Sequence, residues 1–404
     1  MENKRWLYAG VGTIIMLFAG LIYAWSVLAS PISAFFTDWT QSQISLTFTI
    51  CMSFFCIGGL CGGLLAKKVN VKMNMILSGI FLCAGFLISS RTDSLAMLYI
   101  GYGILAGFGS GFVYNGIMSC LNKWFADKPG LISGILLMGF GFGSFIIGKV
   151  YQAFTPSGEG IDAWRNSFFI FGIILIVVMV LGALIIKAPG ADYKAPAPVK
   201  KESKAKKEEG IDIGPGQMLK RASFWLYIVW ATTLSAAGLI LISQASGVVA
   251  EINPEASAST VATVVGLISI LNGIGRVICG ALFDKIGRRA TMFLFDIIFF
   301  VAVGLLIFAL TTHSFIMIIV AFCVSGFAYG GVTPTNSAFA SGFYGTTHYP
   351  VNYPIINLNL LIASFGSTIA GALYDASGSY MSTFMLMLGT VIAATVASIF
   401  IRRP

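Results

Sequence analysis

Charge is scarce in this sequence. Asp, Glu, Lys and Arg make up 10% of its 404 residues, against about 25% in an ordinary soluble domain. A soluble globular protein is excluded on that ground. Histidine is scarcer still, with two residues. The seven cysteines (Cys51, Cys56, Cys61, Cys83, Cys120, Cys279 and Cys323) form no Cys-x-x-Cys pair and fall in or at the ends of apolar segments. A zinc site or a disulfide framework is not expected from that pattern, and the thiols read as small packing groups. No metal and no cofactor are expected. Acids are missing where an enzyme would need them, since the first six apolar stretches contain no Asp or Glu. A membrane enzyme requires a nucleophile–base pair or a metal cluster at membrane depth, so catalysis is not expected. A membrane sensor is the rival from another class; it should carry an appended soluble domain, and this sequence shows none.

Hydrophobic residues are abundant, at 57%. Runs of about 20 apolar residues, enough to cross a bilayer as a helix, recur along nearly the whole chain. Twelve spans are expected, at approximately 7–29, 43–66, 72–90, 95–120, 129–150, 164–187, 222–249, 258–283, 290–311, 314–335, 352–374 and 379–401. The fold class is therefore an all-α polytopic membrane protein. The first span, after Lys4 and Arg5, imitates a signal peptide. It is read as retained, because its removal would break the internal symmetry described below.

Between spans six and seven the composition changes. Pro189, Pro196 and Pro198 precede a charged run from Lys200 to Glu209, which reads as a solvated linker. Lysine and arginine cluster on one side: Lys4, Arg5, Lys67, Lys68, Lys72, Lys123, Lys128, the linker, Lys285, Arg288, Arg289, Arg402 and Arg403. The other side holds mainly Arg91, Lys149 and Arg165. The first side is expected to be cytoplasmic, with both termini and the linker inside. The net charge of +9 belongs to those loops, so no nucleic-acid partner is expected.

One cation breaks the pattern. Arg276 lies within the apolar stretch Val261 to Phe283. An arginine at membrane depth costs at least about 2.5–3.5 kcal/mol on insertion scales and marks a substrate or ion pathway by default. Asn272 lies one helical turn before it, on the same face. A fixed cation beside an amide reads as an anion site. Asp296 is the other ionisable residue that looks intramembrane, and a structural role near the basic loop of Lys285, Arg288 and Arg289 is expected for it. Small-residue stripes complete the inventory: Gly103, Gly107 and Gly111; Gly58-Gly59 and Gly62-Gly63; and Gly134 to Gly148. Such stripes let membrane helices pack backbone to backbone. Gly139-x-Gly141-x-Gly143 is no nucleotide loop, because no strand precedes it.

The halves repeat. Gly63 to Lys72 follows span two, and Gly280-Ala281-Leu282-Phe283-Asp284-Lys285-Ile286-Gly287-Arg288-Arg289 follows span eight. Both begin with glycine and finish basic, half a chain apart. This is a six-plus-six duplication: 1–187 and 221–404 as six-helix bundles, with 188–220 as the linker. Parallel repeats of this kind place a substrate site at the bilayer midplane.

The second loop resembles the Gly-x-x-x-Asp-(Arg/Lys)-x-Gly-x-(Arg/Lys) motif of the major facilitator superfamily at every position: Gly280, Asp284, Lys285, Gly287, Arg288 and Arg289. The first copy departs from it, with Lys67 at the Asp position and Asn70 at the Gly position. Within that superfamily the chain is similar to the oxalate/formate antiporter family, relatives of the monocarboxylate transporters. Tyr23-Ala24-Trp25-Ser26, Lys123-Trp124-Phe125-Ala126-Asp127-Lys128, Asn272-Gly273-Ile274-Gly275-Arg276 and Phe343-Tyr344-Gly345 to Asn352-Tyr353 carry the likeness. The resemblance implies a carrier of small organic anions, by exchange or coupled to protons, in a bacterial or archaeal cell membrane and as a monomer. It implies that Arg276 and Asn272 bind substrate, that Tyr114 with Asn115 and Tyr23 face a cavity, and that Tyr329 walls it. For Trp25 the choice between cavity and packing stays open. Oxalate exchangers of that family use a lysine in span eleven as a second buried cation. Here the stretch Pro354 to Leu361 holds no cation, and Asn357 or Asn359 is expected to offer the substrate a weaker polar contact in its place; two residues apart, they cannot both face the cavity well. One fixed cation suits a monoanion, because the loaded site is then near neutral. Formate, lactate or pyruvate is expected ahead of oxalate, which stays as the alternative.

Overall fold

Lipid supplies no hydrogen bonds, so a spanning backbone must satisfy itself, and a helix does so within one segment. The computed structural model of the protein describes residues 2–65, 68–125, 129–190, 193, 211–345 and 348–402. Among these residues there is no strand, and twelve helices are long and apolar enough to cross a membrane. They are α1 (Lys4–Phe35), α2 (Gln41–Leu65), α3 (Val71–Ser90), α4 (Leu95–Trp124), α5 (Ile132–Phe154), α6 (Ala163–Ile185), α7 (Ala222–Ile252), α8 (Ala258–Gly280), α9 (Arg288–Thr311), α10 (Phe315–Tyr344), α11 (Val351–Ser377) and α12 (Met381–Phe400). Each matches one span expected from the sequence. Several run further than their apolar stretch: α1 to Phe35, α4 to Trp124 and α10 to Tyr344. The apolar run measures the hydrocarbon slab, whereas a helix continues wherever its end packs on protein.

Some helices are interrupted. α1 has a 3₁₀ stretch at Gly20–Ala24, and α4 a π-helical stretch at Tyr99–Ala106. α10 breaks at Gly331. Pro334, lacking an N–H, cannot return a bond to the Gly330 carbonyl, which places that break one residue on. α11 breaks at Leu358, between Asn357 and Asn359.

By their contacts the residues fall into two units. Unit 1 is Met1–Trp39 with Leu46–Lys201, and unit 2 is Thr40–Ser45 with Glu202–Pro404. In unit 1, α3 packs along α6, α1 along α5, and α4 against both α3 and α1. In unit 2, α9 packs along α12, α7 along α11, and α10 against both α9 and α7. Adding six to each helix number in unit 1 gives its counterpart in unit 2, so the duplication read from the loops is present in the packing.

The closest approaches repeat too. A Cβ on Gly107 or Gly111 of α4 would overlap the carbonyl oxygens of Cys51 and Phe55 on α2, and one on Gly58 would overlap that of Phe108. In unit 2 a Cβ on Gly326 or Gly330 of α10 would overlap the Ile268 and Asn272 carbonyl oxygens of α8, and one on Gly275 that of Phe327. Glycine is required there because backbone meets backbone. In α1 and α7, 72% and 67% of the central residues are buried, against 39% in α6 and α12. The first pair are the most buried of the twelve helices and the second pair the least.

One expectation changes. Asp296 is fully buried, but its partners are Trp230 Nε1, donating at 2.8 Å, and Ser398 Oγ, donating at 2.9 Å, rather than the basic loop. The carboxylate pins α9 to α7 and α12. The charged run Lys200 to Glu209 lies outside the described residues, but both flanks of the linker are fastened. Trp124 donates to the Lys187 carbonyl at 2.7 Å, and Tyr193 to the Trp124 carbonyl at 2.9 Å. Ile211 and Ile213 donate to the Phe343 and Tyr344 carbonyls.

Candidate functional site

α8 presents Asn272 and Arg276 one turn apart. Both are buried, at 2% and 4% exposure. The turn that carries them is held backbone to backbone: a Cβ on Gly330 would lie 2.9 Å from Gly275 Cα and 3.0 Å from Arg276 N. Such support fixes the direction in which two side chains leave a helix. Neither amide atom of Asn272 has a hydrogen-bond partner among the described residues. An orphaned buried polar group costs about 1–3 kcal/mol. A buried guanidinium one turn from an amide with both valences open is a donor set for a carboxylate, and the planar fork of arginine matches its two oxygens.

Tyr329, on α10 one residue before Gly330, is 2% exposed. Its ring fills the space that a Cβ on Gly238 of α7 would need, so it is wedged between α10 and α7. Asn357, at the end of the first half of α11, meets Asn336. Its Oδ1 accepts from Asn336 Nδ2 at 3.0 Å, and Asn336 Oδ1 accepts from Tyr227 OH at 2.7 Å. Asn359, past the helix break, is buried at 1% and donates to Ser235 Oγ at 3.3 Å. The break at Leu358 sends the two asparagines to different partners.

In unit 1 the structure gathers Tyr23 and Tyr114 around Phe140. Their ring centroids lie 5.3 and 5.2 Å from that of Phe140, and Phe55 stands 5.3 Å from Tyr114. Asn115 turns toward α2, where a Cβ on Gly59 would sit 2.5 Å from its Nδ2. Trp25 is 1% exposed and tilts on Tyr102 at 4.6 Å. Tyr102 is its ring neighbour within unit 1.

The loop motif spans the end of one helix and the start of the next. Gly287 has φ of +78°, a left-handed turn that suits glycine, and its carbonyl accepts from Thr291. Arg288 lies over the Phe343 ring at 4.8 Å, and Arg289 is exposed. Gly280 leaves open space beside α8. The side chains of Asp284 and Lys285 lie outside the described residues.

Sequence reasoning missed Asn336, Tyr227 and Ser235. The polar run Thr333-Pro334-Thr335-Asn336 inside a span was a usable signal for the first; the other two stand in apolar runs without one. No group of three His, Cys, Asp or Glu side chains that could hold a metal is found among the described residues. A shallow cavity of about 520 Å³ lies at an exposed rim of unit 1, lined by Arg91, Asp93, Arg165 and Phe169. Arg165 is paired there with Asp93 at 2.8 Å, so that rim is not a buried anion site.

The family model of the Major Facilitator Superfamily matches residues 9–358 and again 256–404. The chain is 30% identical over 366 residues to the uncharacterized MFS-type transporter YhjX of Escherichia coli (strain K12), covering 90% of this chain and 86% of that protein. It is 28% identical over 418 residues to the oxalate:formate antiporter of Oxalobacter formigenes, covering 99% and 92%. It is 22% identical to human monocarboxylate transporter 12, covering 93% and 76%. Its fold is similar to that of a bacterial homolog of the human lysosomal transporter Spinster, in an inward-facing and unoccupied conformation. The TM-score is 0.75 at 15% identity, covering 99% and 97% of the two chains.

Proposed function

This chain belongs to the Major Facilitator Superfamily, and from that premise we propose that it carries small monocarboxylates across the cell membrane, with Arg276 as the fixed counter-charge. Its membership makes it a multi-pass membrane transporter and not an enzyme. The observation that carries the substrate class is the pair on α8, a buried guanidinium beside an amide whose two atoms have no partner among the described residues. Arg276 takes the carboxylate and Asn272 donates a further hydrogen bond. Tyr329, and in unit 1 Tyr23, Tyr114 and Asn115, are proposed to shape the path. Two six-helix bundles, 1–187 and 221–404, alternate access around the bound anion, with the termini and the 188–220 linker inside. Exchange, which the name of the antiporter relative suggests, or co-movement with a proton is the coupling proposed here.

Oxalate is the second reading, favoured by the antiporter relative. Against it, α11 contains no Lys or Arg that would balance a second carboxylate. The test is uptake of labelled formate, lactate, pyruvate and oxalate into proteoliposomes, with and without internal anion, for wild type and Arg276→Ala. Monocarboxylate uptake that disappears in the alanine variant supports the reading. Preference for oxalate sinks the monoanion assignment, and uptake that survives loss of Arg276 sinks the site. Dependence on internal anion separates exchange from symport.

A further inference from the structure

Tyr23 stands where it does because α1 is not a regular helix throughout. Gly20–Ala24 is wound as a 3₁₀ turn. Such a turn advances about 120° and 2.0 Å per residue, against about 100° and 1.5 Å in an α-helix. Over the three steps from Gly20 to Tyr23 the difference is about 60° around the axis and about 1.5 Å along it. A regular α1 would therefore aim Tyr23 away from Phe140, whose ring centroid now lies 5.3 Å from its own.

Two helices hold the overwound turn. α5 meets it backbone to backbone: a Cβ on Gly20 would overlap the Phe140 carbonyl oxygen, and one on Gly143 that of Leu17. α4 supplies hydroxyls. Ser110 Oγ donates to the Ala19 carbonyl at 2.7 Å, and Tyr102 OH to the Ile22 carbonyl at 3.3 Å. All four residues are buried. One carbonyl stands just before the turn and the other within it. The i→i−3 bonds of a 3₁₀ turn are poorly aligned, and lipid offers no donors to make up for that. Tyr102 is itself fixed, with its ring packed on those of Trp25 and Phe86, at 4.6 and 5.7 Å. It belongs to the π-helical stretch of α4, so the tightened turn of one helix is met by the widened turn of the other.

Unit 2 is built otherwise at the same position. Ser110 precedes Gly111 as Tyr329 precedes Gly330, and both glycines make the equivalent close approach. There Tyr329 brings a ring to Gly238, and α7 runs as one α-helix from Ala222 to Ile252. The irregular turn accompanies the serine and not the tyrosine. We propose that Ser110, assisted by Tyr102, is a positioning residue: it keeps α1 overwound, thereby places Tyr23, and through Tyr23 sets the choice among carboxylates. This rests on the reading above that Tyr23 shapes the path.

The test uses the full-length chain with fluorotyrosine at position 23 alone, as wild type, Ser110→Ala, Ser110→Thr and Tyr102→Phe. Fluorine NMR in nanodiscs without substrate reports the surroundings of the Tyr23 ring. In proteoliposomes, uptake of labelled formate and its inhibition by lactate and pyruvate give apparent affinities and maximal rates. For Ser110→Ala we expect a displaced fluorine signal, an unaltered maximal rate, and a lactate-to-formate affinity ratio changed by about threefold or more, the scale of one lost hydrogen bond. Ser110→Thr keeps the hydroxyl and should return both readouts toward wild type. Tyr102→Phe removes the longer bond and should change both by less; it carries the test if the alanine variant does not fold. In a Tyr23→Ala background, Ser110→Ala should no longer change the ratio. An unmoved fluorine signal overturns the positioning. A moved signal with an unchanged ratio, or the same change of ratio with and without Tyr23, overturns the link to selection. A fall in maximal rate alike for every anion makes Ser110 a scaffold residue and overturns it equally. If Tyr23→Ala itself leaves the ratio unchanged, or no carboxylate is taken up, the reading of the path falls together with the link to selection. The fluorine signal then still decides whether Ser110 places Tyr23.

Discussion

Unit 1 and unit 2 share one packing plan and are filled differently. The glycine crossing of α4 on α2 in unit 1 returns as that of α10 on α8 in unit 2. Inside unit 1 the space around Tyr23 and Tyr114 is closed by Phe55 and Phe140. Unit 2 holds Arg276, Asn272, Asp296 and Asn336, all buried. Duplication supplies the scaffold twice, because helix packing depends on small residues at a few crossings. Chemistry needs to be written only once. The carrier's polarity therefore concentrates in its second half, and aromatic shape in its first.

The largest effect should come from moving charge in unit 2. Arg276→Gln keeps length and hydrogen-bonding capacity but removes the cation. Loss of one partner of a buried charge pair costs about 2–5 kcal/mol, so monocarboxylate uptake should fall about thirtyfold or more. Arg276→Lys keeps the charge without the fork and should lie between. Initial uptake rates at several substrate concentrations would check both. If glutamine transports as well as arginine does, the polar half is not where the anion sits.

The glycine crossings test the shared scaffold. Gly107→Ala in unit 1 and Gly275→Ala in unit 2 each drive a methyl into a facing carbonyl. Overpacking of this kind costs about 1–3 kcal/mol, and the two losses of thermal stability in detergent should be similar. Transport should suffer more from Gly275→Ala, which displaces the turn bearing Asn272 and Arg276. Equal transport losses would mean that both crossings serve packing alone.

The scaffold was legible because bilayer thickness forces apolar runs of fixed length and because the loop motif repeats. Arg276 was legible because a cation at depth is costly enough to be conspicuous in a sequence. Asn336 left only the trace of its polar run, and Tyr227 left none, since a phenol in an apolar run is far less costly than a charge and only packing decides its partner. The separation of Asn357 from Asn359 was half legible. Two residues apart predicts different faces, but the break at Leu358 was not visible. The partners of Asp296 were misplaced because Trp230 and Ser398 stand 66 and 102 residues away.

Asp296 is a smaller lever. Asp296→Ala strands the indole N–H of Trp230 and the Ser398 hydroxyl in the interior, at about 1–3 kcal/mol. Thermal unfolding in detergent should shift down, while Asp296→Asn, which keeps an acceptor, should shift less. Uptake by the folded Asn variant should match wild type. A specific loss of uptake without loss of stability would move the carboxylate from scaffold to transport and weaken the contrast drawn here.

The smallest effects should come from unit 1. Tyr23→Phe and Tyr114→Phe remove one hydroxyl each and leave the ring packed on Phe140. If these tyrosines act by shape, apparent affinity should change less than about threefold, since a typical net hydrogen bond is worth about 0.5–1.5 kcal/mol. Tyr114→Ala, which empties the space beside Phe55 and Phe140, should cost more than either and should relax selection among formate, lactate and pyruvate. Competition of each anion against labelled formate would measure this. A phenylalanine variant that loses as much as the alanine variant would show that a hydroxyl in unit 1 binds the substrate directly. Polar recognition would then be shared by both units.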